Sequence, residues 1–116
     1  MRAVISAGGT GGHIFPAVAI INKIKKEEPN SEFLYIGTDD RMEKDLIPEM
    51  GIRYEAIKIT GFKRKLTIDN FKTAYYFINA CLKCKKIIKE FDPDIVIGTG
   101  GYVTAPVVWA GKKLGK

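Results

Sequence analysis

One histidine, His13, and two cysteines, Cys81 and Cys84, are all that the sequence offers in imidazole and thiol chemistry. The cysteines form a lone CLKC pair inside a long helical pattern, not at a helix start after a strand, where redox pairs sit. No second Cys/His pair is present to complete a zinc site. Two core thiols are the better reading, and no metal is expected. Long apolar runs are missing as well: nothing approaches the ~20 residues that span a bilayer. The opening MRAVISAGG breaks into glycine before it builds the apolar stretch of a secretory signal. A cytoplasmic protein is expected. Acid is nearly absent between residues 58 and 89, where Asp69 alone faces nine Lys/Arg for a local charge of +8, while the remainder carries −2. Such a lopsided field points to an anionic partner: nucleic acid, a membrane surface or a phosphorylated ligand. No recognised nucleic-acid-binding motif accompanies the charge, so nucleic acid is the weakest of the three.

What is present is a regular alternation. Four β-rich runs, RAVIS (2–6), EFLYIG (32–37), YEAIKI (54–59) and DIVIG (94–98), are each followed by a segment able to form a helix, roughly 13–28, 40–50, 67–90 and 103–114. Alternation of this kind gives an α/β fold, a doubly wound parallel sheet with helices on both faces. Pro16 is expected in the first turn of its helix, where a missing N–H costs little. EEPN (27–30) and DPD (92–94) supply helix stops. At 116 residues there is room for one core, and no linker divides the chain, so residues 1–116 read as a single domain. Right-handed crossovers and the common doubly wound half place the strands in the order 3-2-1-4.

That order makes the first and fourth strands neighbours, with their outgoing connections leaving on opposite faces. A crevice then opens at their carboxyl ends, the place where open α/β sheets bind ligands. Both connections are glycine-rich, GGTGGHIFP at residues 8–16 and GTGGYVTAP at 98–106. Glycine turns ahead of a helix start aim backbone N–H groups and a partial positive charge at a ligand, which makes an anion cradle. Neither loop has the spacing of an ATP-binding or dinucleotide-binding motif. Tight turning alone would account for the glycines of one loop, and does so less comfortably for two that face each other. His13 lies at the helix start, whose partial charge disfavours the imidazolium. A neutral ring beside a diphosphate can accept a proton from a sugar hydroxyl or hydrogen-bond an oxyanion, and it can equally be a capping or packing residue. Thr10, Thr99, Tyr102 and Thr104 add hydroxyl donors around the same crevice.

On a helical wheel, residues 68–90 carry two apolar stripes. Ala74, Phe77, Cys81, Cys84 and Ile88 form the stripe assigned to the core. Phe71, Tyr75, Ile78 and Leu82 form another about a third of a turn away, continued or flanked by Lys85, Lys86 and Lys89. Apolar groups beside lysines suit an anionic membrane surface. A wide buried face, or burial against a second domain, is the competing reading.

Taken together, GGTGGHIFPA, YIGTDDRMEKDLIPEMGI, ITGFKRK and GTGGYVTAP stand in the order and spacing of the MurG-type glycosyltransferases, and the chain resembles that family over nearly its whole length. The resemblance implies the N-terminal, acceptor-binding half of a two-domain GT-B enzyme at the cytoplasmic membrane face. Such an enzyme moves N-acetylglucosamine from its UDP carrier to lipid-linked muramyl-pentapeptide in peptidoglycan synthesis. It implies an inverting reaction with no metal or other cofactor. His13 would be the general base or acceptor-positioning residue, with Thr10, Gly11, Gly12, Gly100, Gly101, Tyr102 and Thr104 about the acceptor diphosphate. Phe71, Tyr75, Ile78, Leu82, Lys85 and Lys86 would be the membrane contact. The donor-binding C-terminal domain of the family, with its HEQN-like motif, lies outside this sequence, and the chain is expected to be inactive alone. Two other readings stay open: a non-catalytic module for polyprenyl diphosphate or anionic membrane, and a nucleotide-binding regulatory domain.

Overall fold

The computed structural model describes residues 1–8, 11–39, 43–59 and 68–116. Four parallel strands, β1 (Arg2–Ser6), β2 (Glu32–Gly37), β3 (Arg53–Ala56) and β4 (Ile95–Gly98), form one sheet in the order β3-β2-β1-β4. They alternate with α1 (Gly11–Glu27), α2 (Glu43–Glu49), α3 (Ile68–Phe91) and α4 (Thr104–Lys113). The expected strand order and fold class are both found. Register is set on both sides of β1, with Val4 opposite Leu34 on one neighbour and Val96 on the other.

Strand alternation divides the core into two layers. Val4, Leu34 and Ile36 point to the face covered by α3 and α4, where they meet Cys84, Ile88, Val107 and Ala110. Ala3, Ile5 and Tyr35 point the other way, against Ile14, Ala17 and Ile21 of α1 and Ile47 of α2. Burial on both faces explains why β1 reads as a nearly continuous apolar run and not as an alternating one.

Several boundaries differ from those read in the sequence. Helix α1 begins at Gly11, so Pro16 is its sixth residue and not a first-turn proline. The pyrrolidine cannot donate to the Gly12 carbonyl four positions back, and this carbonyl lies in the first turn, at the end of the helix that faces the crevice. Strand β3 ends at Ala56 and not at residue 59, although Ile57 still donates its N–H to the Gly37 carbonyl. Helix α3 stops at Phe91; Asp92 takes the left-handed conformation (φ 52°) and Pro93 follows. A left-handed residue and then a proline is a common helix ending.

Helix α3 presents the two stripes on different sides. Cys81, Cys84 and Ile88 are buried, Ala74 and Phe77 half-buried, and Thr73, Ala80 and Phe91 extend the inner face. Phe71, Tyr75, Ile78 and Leu82 are 79%, 64%, 60% and 58% exposed. Among the described residues no helix is long and apolar enough to cross a membrane.

Candidate functional site

The β1–α1 and β4–α4 connections leave the sheet at the same end, and they touch. Gly8 donates its N–H to the Gly100 carbonyl at 3.2 Å, and Thr99 donates its own to the Ser6 carbonyl at 3.1 Å. The Thr99 hydroxyl donates to the His13 carbonyl at 2.6 Å, tying the first turn of α1 to the β4 loop. The imidazole itself lies on the backbone of Gly100, where a Cβ would come within 2.2 Å of Nδ1. Gly100 and Gly101 have φ of +130° and +97°, conformations that a side chain disfavours, and a Cβ on Gly101 would approach the Gly8 carbonyl oxygen to 2.5 Å. Gly8 therefore meets Gly100 and Gly101 closely, and the histidine ring packs on the Gly100 backbone beside that contact.

Both helices aim their amino ends at this junction, and neither α1 nor α4 has an acidic residue in its first turn. The helix dipoles leave a field that favours an anion, although in α4 the Thr104 N–H is taken by the Gly101 carbonyl and Pro106 has none to offer. Gly11 opens α1 and Gly12 is exposed beside it; Thr10 lies outside the described residues. Tyr102 is 67% exposed at the β4 side of the crevice. The Thr104 hydroxyl donates to the Gly101 carbonyl at 2.8 Å, so its proton serves the turn and its lone pairs remain.

Beneath the β1–α1 connection stands a residue that nothing in its local sequence singles out. Glu43, the first residue of α2, is wholly buried; its Oε1 accepts from the Thr38 hydroxyl at 2.7 Å and the Thr38 N–H at 3.2 Å. Among the described residues Oε2 has no hydrogen-bond partner. Burying a carboxylate oxygen unpaired costs about 1–3 kcal/mol or more. Tyr35, also fully buried, donates to the Ala7 carbonyl at 2.7 Å. Burial first, and then the nearby Glu43 charge, push the Tyr35 phenol well above its ordinary value, so it stays a donor. In the sequence Glu43 sits within DDRMEKD and resembles any solvated charged run.

The opposite end of the sheet has a concavity lined by Arg2, Glu32 and Arg53. Its two arginines are already engaged, Arg2 with the Phe91 carbonyl and Glu32 and Arg53 with Glu55, and Lys25, which also lines it, lies 6.0 Å from the Phe33 ring centre. The carboxyl-end crevice is thus the better candidate site. The thiols are remote from both in character, being buried, with Cys84 pushed up to about 12 by that burial. Lys85 and Lys86 are exposed on α3, and α4 adds exposed Val108 and Trp109, the latter with the Lys113 ammonium 5.9 Å from its ring centre. Val108 and Trp109 were absent from the sequence reading because a ten-residue helix shows too few turns to separate an outer stripe from a core one.

Comparison with known proteins gives this geometry a family. The family model described as the glycosyltransferase family 28 N-terminal domain matches residues 3–116. A curated relative from Listeria monocytogenes serovar 1/2a, named UDP-N-acetylglucosamine--N-acetylmuramyl-(pentapeptide) pyrophosphoryl-undecaprenol N-acetylglucosamine transferase, is 53% identical over 98% of this chain and 31% of its own length. A second so named, numbered 2, from Bacillus thuringiensis (strain Al Hakam), is 53% identical over 99% of this chain and 32% of its own length. The crystal structure of MurG from Acinetobacter baumannii superposes with a TM-score of 0.82 at 28% identity, over 98% of this chain and 33% of that one. The chain thus spans about a third of the length of the relatives it matches. It belongs to the glycosyltransferase family 28 N-terminal domains.

Proposed function

We propose that this chain is the acceptor-binding part of an inverting transferase. The enzyme would carry N-acetylglucosamine from UDP-N-acetylglucosamine to a lipid-linked muramyl-pentapeptide at the cytoplasmic face of the membrane. The reading rests on one observation above the others: two glycine loops, joined through Gly8 and Gly100, hold the only histidine at the amino ends of two helices that lack acidic first turns. The names carried by the 53%-identical relatives supply the substrates.

In this scheme the acceptor diphosphate lies against the α1 amino end and the Gly100–Gly101 turn, with Gly11, Gly12, Thr10, Thr104 and Tyr102 around it. Backbone N–H groups and helix dipoles neutralise it without a metal. His13 accepts the proton of the attacking sugar hydroxyl, or positions that hydroxyl, as it displaces UDP from the anomeric carbon. The sugar nucleotide is held by a donor-binding domain beyond these residues. The exposed stripe of Phe71, Tyr75, Ile78 and Leu82, with Lys85 and Lys86, docks on anionic lipid and brings the crevice to its lipid-bound substrate. A non-catalytic lipid-binding module would use the same stripe but has no need of the histidine seat, and the relatives' names favour the transferase.

The test is reconstitution. The chain, mixed with UDP-N-acetylglucosamine, lipid acceptor and a separately expressed C-terminal part of the Listeria relative, is expected to restore transfer, and His13→Ala to reduce it by about 10²-fold or more. Neither transfer nor acceptor binding by the wild-type chain would count decisively against the reading. Calorimetry with UDP on this chain alone is expected to show little binding.

A further inference from the structure

Buried Tyr35 and Glu43 and half-buried Thr38 and Tyr54 form a closed ring under the crevice. Tyr35 donates to the Ala7 carbonyl; its ring stacks on Tyr54 at 5.7 Å between centroids; Tyr54 donates to the Thr38 carbonyl; and Thr38 donates twice to Glu43. Glu43 closes the ring on Gly8, the residue after Ala7: a Cβ there would come within 3.2 Å of Oε1 and 2.6 Å of a Val103 methyl. From Gly8 the connection to the histidine is short, since its N–H bonds the Gly100 carbonyl and His13 lies on Gly100. A residue chosen only to fill this space would be apolar, because a wholly buried carboxylate is a costly filler. What the carboxylate adds is a charge-assisted grip on both donors of Thr38.

We infer that Glu43 and Tyr35 are positioning residues for the crevice: they fix the height of Gly8 against Gly100, and with it the seat of His13. Glu43 acts by accepting from Thr38 while packing on Gly8, Tyr35 by holding Ala7. Among the described residues no hydrogen bond joins either to the ring of His13. The bearing of this on sugar transfer rests on the function proposed above, whereas the positioning does not.

His13 is the only histidine, so its imidazole Hε1 line in the proton NMR spectrum of the ligand-free chain reports the seat alone. The line is expected to move by more than its width in Glu43→Ala and in Tyr35→Phe. It should keep its place in Glu43→Gln, which retains an acceptor oxygen for Thr38. It should also keep its place in Ile88→Val, a truncation of the core on the other face of the sheet. Should Glu43→Ala fail to fold, as far-UV circular dichroism would reveal, Tyr35→Phe carries the test, because it preserves ring volume and the stack on Tyr54. An unmoved line in folded Tyr35→Phe or Glu43→Ala overturns the inference, and so does equal movement in Ile88→Val. A failure of the reconstituted transferase with the line behaving as expected would fault the proposed function and leave the positioning intact.

Discussion

At the residue scale the crevice depends on atoms that are missing. Gly101 needs both a left-handed backbone and room for the Gly8 carbonyl, so Gly101→Ala is expected to lose about 1–3 kcal/mol of stability in urea titration. Gly100→Ala puts a methyl into the His13 ring instead. It is expected to displace the imidazole and to depress transfer in the reconstituted pair more than Gly101→Ala does at equal folded fraction. His13 and the duplicated glycines were legible in the sequence because their rarity and repetition stand out. Glu43 was not, since a local string of charges says nothing about which one tertiary folding will bury. Burial, the two bonds from Thr38 and the approach of Gly8, 35 positions earlier in the chain, distinguish it from the exposed Lys44 and Asp45 beside it.

Helix α3 separates two chemistries on its two sides. Inside, burial pushes the Cys84 thiol from 9.0 up to about 12, with Cys81 shifted the same way. Between those values the unfolded chain gives up its proton and the folded chain keeps it. Stability is therefore fully retained below about pH 9 and falls as pH rises toward 12, by at most about 1.4 kcal/mol per pH unit for the one proton. Cys84→Ala is expected to be less stable at neutral pH, from the lost packing, yet to show a shallower alkaline decline when melts are compared from pH 8 to 11. Outside, Ile78→Ser with Leu82→Ser should leave the melting temperature nearly unchanged, as both side chains are mostly exposed, and should weaken co-sedimentation with anionic vesicles several-fold. Full retention on vesicles would assign the stripe to a protein partner. The helical wheel distinguished the two stripes in the sequence because 24 residues give more than six turns. It could not place the start of α1, where Gly11 and Gly12 have poor intrinsic helix propensity and precede His13, whose carbonyl accepts from Thr99.

Over the whole molecule, strand order was readable because handedness leaves few ways to wind four parallel strands. The charge asymmetry, +8 within residues 58–89 and −2 elsewhere, gives the chain a direction as well as a sum. Binding to anionic vesicles is accordingly expected to weaken steeply between about 50 and 300 mM salt, while vesicles of neutral lipid retain only the apolar share. Trp109, the single tryptophan, reports such docking directly: its emission should shift to the blue if α4 shares the surface with α3.

The central strand also sets an order of events in time. Strand β1 precedes β2, β3 and β4 in the chain, yet its β4 edge is completed only by residues that follow much later, with Arg2 bonded to Asp94 across 92 positions and Gly8 to Gly100. Closing so long a loop is entropically slow. The α1 and α2 layer can therefore gather around β1, β2 and β3 well before β4 arrives. The seat of the histidine is expected to form last, so that in refolding followed by NMR His13 reaches its native environment only in the slowest phase.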